Sequence, residues 1–465
     1  MSFPWAPPYD IACCYALLGE KEQAIDWLQK SFAKGYRDLQ HAQKDDDLKS
    51  LRDDPRFREL VAMVDTSKMS RDEGWRFDLA LLAREIKRIH FSPFRQVSRE
   101  SFDETVKKLH DDIPTLSDHQ IEVGMMKIMR LVGDGHSMVI PGYARRESRR
   151  AAPVRFYLFT EGLFVVVADR AHKDLLGAQV LKVGEHDIES VLKAMDPILF
   201  QDNTIRPMQF GPDLLPNAQL LNGLGLIPDG NQLPLTIRDA AGKERTVKLA
   251  VDAGEPTDSW ARVSTSASEP EPLYLKKRRV AYWYEHLNES KTVFFQFNGV
   301  RDEGKQTFEQ FCNEMFTFIN DHDVARLVID MRWNGGGNTF LTPPLIHGLI
   351  RCRKLDKAGS LFVIIGRGTF SAAINTVVAI ERNTKAIMVG EPSGSSPNFI
   401  GETVMQTLPY SGIRTTTSDL YWQFSWPMDH RNWIAPTLYA PPNFADFKAN
   451  RDPAMTAIMA YKSKE

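Results

Sequence analysis

The chain has 465 residues, 43% of them hydrophobic and 25% charged, with a formal net charge of −2. That is the composition of an ordinary globular protein of two or three domains. The balanced charge gives no general pull toward nucleic acid or an anionic membrane, and no apolar run reaches the about 20 residues of a membrane helix. The four cysteines, Cys13, Cys14, Cys312 and Cys352, lack the paired spacing of a zinc site and read as reduced thiols, so neither metal nor cofactor is expected. "MSFPWAPPYD" lacks the basic and apolar regions of a signal peptide. A cytoplasmic protein is the expectation, or an exported one if the N-terminus is truncated.

In chain order, residues 1–66 read as helices. Ala12, Tyr15, Ala16, Leu18, Ala24, Leu28 and Phe32 fall at helical spacings, with Gly19 at a turn and Pro55 near a later helix start. Small residues at helix crossings with aromatics between them resemble a tetratricopeptide repeat, which implies a docking surface for a protein partner. Residues 67–130 read as a helical cap, with Ser117 or Asp118 capping its last helix. Residues 131–152 form a loop that carries His136.

Residues 153–252 change period and read as a β-rich module, with hairpin turns at Thr160-Glu161-Gly162 and Ala241-Gly242. The polar stretch 253–279 reads as a linker. From 280 to 465, strands "TVFFQFN", "RLVIDMR", "LFVIIG" and "AIMVG" alternate with amphipathic helices. That alternation predicts a largely parallel sheet covered on both faces, with its site at the strand C-terminal ends.

Two turns at such ends carry chemistry. "IDMRWNGGGN" places three glycines, 335–337, after a buried strand, where bare backbone N–H groups can face a cleft as an oxyanion hole does. It lacks the Lys-Ser/Thr of a phosphate loop. "GRGTFSAAIN" places Ser371 at a strand-to-helix turn, as a helix cap or as a nucleophile. A nucleophilic serine needs a base, and "RLVGDGHSMV" offers His136.

Together "GDGHS" (133–137), "LVIDMRWNGGGN" (327–338), "FVIIGRGTFSAA" (362–373), "IMVGEPSGSSPN" (387–398) and the closing "APTLYAPPNFADFKANRDPAMTAIMAY" (435–461) resemble the C-terminal processing and tricorn-type serine peptidases, over about residues 120–461. The resemblance implies an α/β catalytic domain with a crotonase-like ββα spiral. It implies an inserted PDZ-like module at 153–252, where "LGAQVLKVGEHDIESVL" is similar to part of a PDZ domain, behind the N-terminal all-α segment. It makes the substrate a peptide or protein and Ser371 the nucleophile, with the Ala372 and Gly336 backbone N–H groups as the oxyanion hole.

The base departs from one branch of the family. Processing peptidases place a lysine after the "VGE" strand, where this chain has Ser396, and Lys385 lies before that strand. The tricorn-like branch implies His136 as base, oriented through a serine and a carboxylate. Gly135 stands where that serine should be, and Ser137 follows. Asp429 is the carboxylate that the resemblance places nearest to the expected position, with Glu391 and Glu402 as rivals. The alternative reading is a non-catalytic binder of apolar ligands or peptides on the same scaffold.

Overall fold

The alternation after residue 280 builds a six-stranded sheet in the order Leu438–Tyr439, Ile387–Gly390, Leu361–Ile365, Arg326–Asp330, Thr292–Phe297, Tyr282–Leu287. Every neighbouring pair is parallel except the last, which is antiparallel. The computed structural model describes residues 6–34, 36, 39–61, 66–140, 151–252, 260–263 and 269–462.

Strands such as Leu361–Ile365 are apolar throughout because both faces of the sheet are covered. Phe295, Leu327, Ile329 and Val363 face the helices Phe308–Asp321, Pro343–Arg351 and Ala372–Asn383. Phe294, Val328, Phe362 and Ile364 pack instead with Ala454 and Ile458 of the helix Pro453–Ala460. The expected sheet, covered on both sides, is what forms.

The chain divides into two compact units. One comprises 133–136, 150–401 and 420–465 and holds this sheet. It also holds the β-rich module, in which Val154–Phe159, Gly162–Ala168, Gln179–Val183, Gln232–Arg238 and Glu244–Ala250 pair antiparallel in that order. Gly162 and Gly242, at φ 129° and 81°, close the two expected hairpins. The linker expectation needs correction. Ala261–Arg262 pairs with Val167 and Ala168 of the module, and Leu273–Leu275 forms a helical turn. The rest of that stretch, 253–259 and 264–268, lies outside the described residues.

The other unit comprises 1–132, 137–149 and 402–419. Its first helices, Ala6–Leu17 and Lys21–Ala33, share a core in which Ala12, Ala16 and Ala24 are buried. Pro55 opens the helix Pro55–Leu60, behind the N-cap Asp54. Helix Asp118–Arg130 starts at a Ser117 capping box. Buried Asp78 on helix Arg71–Ile89 accepts the Tyr410 and Ser411 N–H groups at 3.0 and 2.7 Å, tying 402–419 to these helices. Met138–Ile140 pairs antiparallel with Arg414–Thr416. All four cysteines are free, and Cys14 alone among them is exposed. Among the described residues no helix is long and apolar enough to cross a membrane.

Candidate active site

Strands Arg326–Asp330 and Leu361–Ile365 are parallel neighbours, so the turns that leave them lie side by side. Hydrogen bonds latch the turns together. Thr369 Oγ1 donates to the Met331 carbonyl at 2.9 Å and accepts the Gly366 N–H at 3.0 Å, while the Phe370 N–H donates to the Asn334 carbonyl at 3.0 Å. Gly336 sits in the fold so made at φ 108°. A Cβ there would lie 2.6 Å from Ser371 Cβ and 3.0 Å from the Ala372 nitrogen, so only glycine lets the turns approach this closely.

Ser371 has φ 57° and ψ −129°, a backbone conformation that an L residue adopts at an energetic penalty. It precedes the helix Ala372–Asn383, yet its side chain makes no capping hydrogen bond. The cap reading is thereby corrected: Ser371 holds the N-cap position without performing the cap's bond. Ala372 N–H, in the first helical turn, points with the helix dipole toward any anion at this end. Gly336 N–H donates to Asn334 Oδ1 at 2.9 Å.

His136 lies against Phe370, the residue before Ser371, with ring centroids 4.3 Å apart, and against Phe399 at 5.3 Å. Burial among these rings lowers its pKa to about 4, opposed by the Asp134 carboxylate and the nearby Ile400 backbone, and assisted by Arg206. The imidazole is therefore neutral near pH 7. Its loop is fixed from two sides: Asp134 Oδ1 accepts the His136 N–H, and Asp202 Oδ1 accepts the Gly135 N–H, each at 2.7 Å. Arg206 covers the Phe370 ring at 3.9 Å.

Gly135 explains the departure from the tricorn-like pattern. A Cβ there would lie 2.8 Å from the Phe370 ring and 3.0 Å from Asp202 Oδ1, so no serine fits. Ser137 donates instead to Ser418 Oγ at 3.1 Å. Asp429 is also corrected as the orienting carboxylate. It accepts Ser425 Oγ at 2.6 Å and Arg431 Nε at 2.9 Å, and Arg431, which also pairs with Glu381, holds it below the usual carboxylate range. Glu391 pairs with Arg367. Ser396, in the lysine slot, donates to the Asn432 carbonyl at 2.9 Å, and Lys385 pairs with Asp356 at 2.9 Å.

Sequence reasoning missed Asp202, Arg206 and Asn334. Asp202 accepts from Gly135 and from Ser395 Oγ, and burial raises its pKa to about 6. "FQDNTIRP" (200–207) has neither a period nor a motif spacing that signals this role, and folding alone brings it to a histidine loop 67 residues away. Asn334 sat inside a quoted motif, but its role as clamp of both turns is visible only in three dimensions.

No family model matches the chain, and no curated protein matches it. Solved structures do. It is similar to mature CPAF complexed with lactacystin, at 11% identity, covering 83% of this chain and 97% of that one, with a TM-score of 0.58. Mature CPAF alone gives 11% identity, 83% and 96% coverage and a TM-score of 0.55. A photosystem II D1 C-terminal processing protease also aligns, at 11% identity over 83% and 96% of the chains, with a TM-score of 0.36. The chain has the fold of mature CPAF.

Proposed function

We propose that this protein is a serine peptidase that hydrolyses peptide bonds through an acyl-enzyme on Ser371. The observation that carries the reading is the Ser371 turn. A serine in a strained conformation, making no capping bond, stands at a helix N-terminus with Gly336 pressed against Ala372 N–H. A mere cap has no use for such strain.

In this reading Ser371 Oγ attacks the scissile carbonyl carbon while its proton passes to neutral His136. Ala372 N–H holds the oxyanion. Gly336 N–H joins it by sharing its hydrogen between Asn334 Oδ1 and the new anion. As the C–N bond breaks, His136 returns the proton to the leaving amine. Water then repeats the sequence on the ester and releases the acid. Asp134 and the Ile400 backbone stabilise the transient imidazolium, taking the part first assigned to Asp429.

The motif resemblance further supports reading the core as a crotonase-like spiral and the five-stranded module as PDZ-like. The paired N-terminal helices are read as a tetratricopeptide-like docking surface for a protein partner. Fluorophosphonate labelling tests the central claim. Intact protein should label, and Ser371→Ala and His136→Ala should not, with circular dichroism showing both variants folded. Absence of labelling in the intact, folded protein overturns it.

A further inference from the structure

The segments leaving the two central strands also border a cavity of about 480 Å3, which Arg332, Trp333, Gly366 and Arg367 line and Ser371 and His136 do not. Tyr157 and Phe159 of the β-rich module and Tyr274 complete its aromatic wall. The volume falls in the range of about 300–1,000 Å3 typical of sites for drug-sized molecules. Trp333 is the centre of the wall, with Tyr157 edge-on at 6.1 Å and Tyr274 stacked at 6.4 Å.

Glu271, Lys277 and Arg279 also line it, and its other polar groups differ in their partners. Arg332 is paired with Asp330 and Asp452, and Arg367 with Glu391. Arg278, over the Trp333 ring at 4.3 Å, faces Arg262, and the two cations repel. Neither has a carboxylate at ion-pair distance among the described residues. Asp213 acts on Arg278 from further away, and Gln209 bonds that carboxylate at 3.0 Å. Trp333 Nε1–H, buried, has no hydrogen-bond partner among the described residues. Arg262 and Arg278 are themselves exposed, so the unmet demand is that of the indole donor, and an anionic acceptor beside the two guanidiniums would satisfy it.

We propose that this cavity binds a small aromatic carboxylate. The ring lies among Tyr157, Tyr274 and Trp333, and the carboxylate accepts from Trp333 Nε1–H and the Arg278 and Arg262 guanidiniums. Aromatic faces select a flat apolar body, and the paired cations select the charge. The site is separate from Ser371 and does not depend on its chemistry.

Calorimetric titration of the whole chain with 1-naphthylacetate and with its neutral amide tests the proposal. Saturable binding of the acid, with the amide weaker by about tenfold or more, is expected. Arg262→Gln with Arg278→Gln should weaken the acid by about tenfold or more, and Trp333→Phe, which keeps the ring and removes the donor, should weaken it too. Thermal melting identifies the folded variants, and Ser371 labelling should be unchanged in the Arg262 and Arg278 variants. No saturable heat, equal binding of acid and amide, or undiminished binding in the folded double-arginine variant would each overturn it.

Discussion

Adding one methyl group to either of two adjacent glycines separates the proposed site from a mere turn. At Gly336 the new Cβ meets Ser371 Cβ at 2.6 Å, Phe370 O at 3.0 Å and the Ala372 nitrogen at 3.0 Å, from a residue at φ 108°. At Gly335 it meets nothing within 4 Å, and the backbone there is not in the left-handed region. Forcing alanine into the Gly336 conformation costs about 1–3 kcal/mol, and overpacking adds about 1–3 kcal/mol. Gly336→Ala should therefore lower stability by about 2–6 kcal/mol, whereas Gly335→Ala should change it by less than about 0.5 kcal/mol. The same methyl displaces Ser371 and crowds Ala372 N–H, so fluorophosphonate labelling should slow by about 10²–10³-fold, the loss typical of one oxyanion donor. Labelling rates at a temperature where both variants are folded, together with melting curves, provide the assay. Wild-type labelling by Gly336→Ala, or an equal loss in Gly335→Ala, would refute the reasoning.

Other predictions concern the groups behind the site. His136, with a pKa lowered to about 4, stays neutral through the mildly acidic range, so labelling should persist well below pH 6.5. A half-loss centred at 6.5 in both the intact protein and Asp202→Asn would contradict that placement. Asp202 has a folded pKa raised to about 6 from 3.8. Its contribution is fully present below the unfolded pKa and is lost as pH rises through about 6. Asp202→Asn should thus gain up to about 3 kcal/mol in relative stability between pH 3.8 and pH 7; melting temperatures across that range check the sign. Arg332 joins buried Asp330 and Asp452, so Arg332→Met should cost about 3–5 kcal/mol at pH 7. The deficit should shrink as pH falls from 7 to about 6 and level off below that, because Asp330, its pKa raised by burial to about 6 even beside Arg332, is then protonated in both proteins. Denaturant titrations at pH 5 and 7 that give equal losses would exclude the electrostatic account.

Much of the core was open to reading because its signals are local. Strand Leu361–Ile365 announces burial on both faces by being apolar throughout, the Ser117-Asp118 pair announces the start of its helix, and Gly162 announces a hairpin. Ser371 and the Gly336 turn were legible for the same reason, since each closes a strand that carries its own pattern. What escaped was non-local. The grouping of 402–419 with the first helices rests on Asp78 accepting two amides more than 330 residues away. No periodicity in either segment encodes that distance. Composition likewise suggested a linker at Ala261–Arg262, because a two-residue edge strand is too short to imprint an alternation.

The histidine shows why motif order and site geometry diverge. A motif records which residue types are present, whereas orientation is supplied by whatever the fold brings alongside. Gly135 removes the serine relay, and a Cβ in its place would meet both Phe370 and Asp202. The side chains that exclude the relay are those that hold the loop in its absence. Asp202 binds the Gly135 amide, Asp134 binds the His136 amide, and Arg206 lies over the ring on which His136 stacks. In the proposed mechanism the positioning falls to Asp134, two residues before His136, and to Asp202 and Arg206 on a distant segment. The low pKa of His136 follows from that exchange. A ring packed between two phenylalanines is held firmly and desolvated, so its neutral form is secured while its cation depends on Asp134 and the Ile400 backbone.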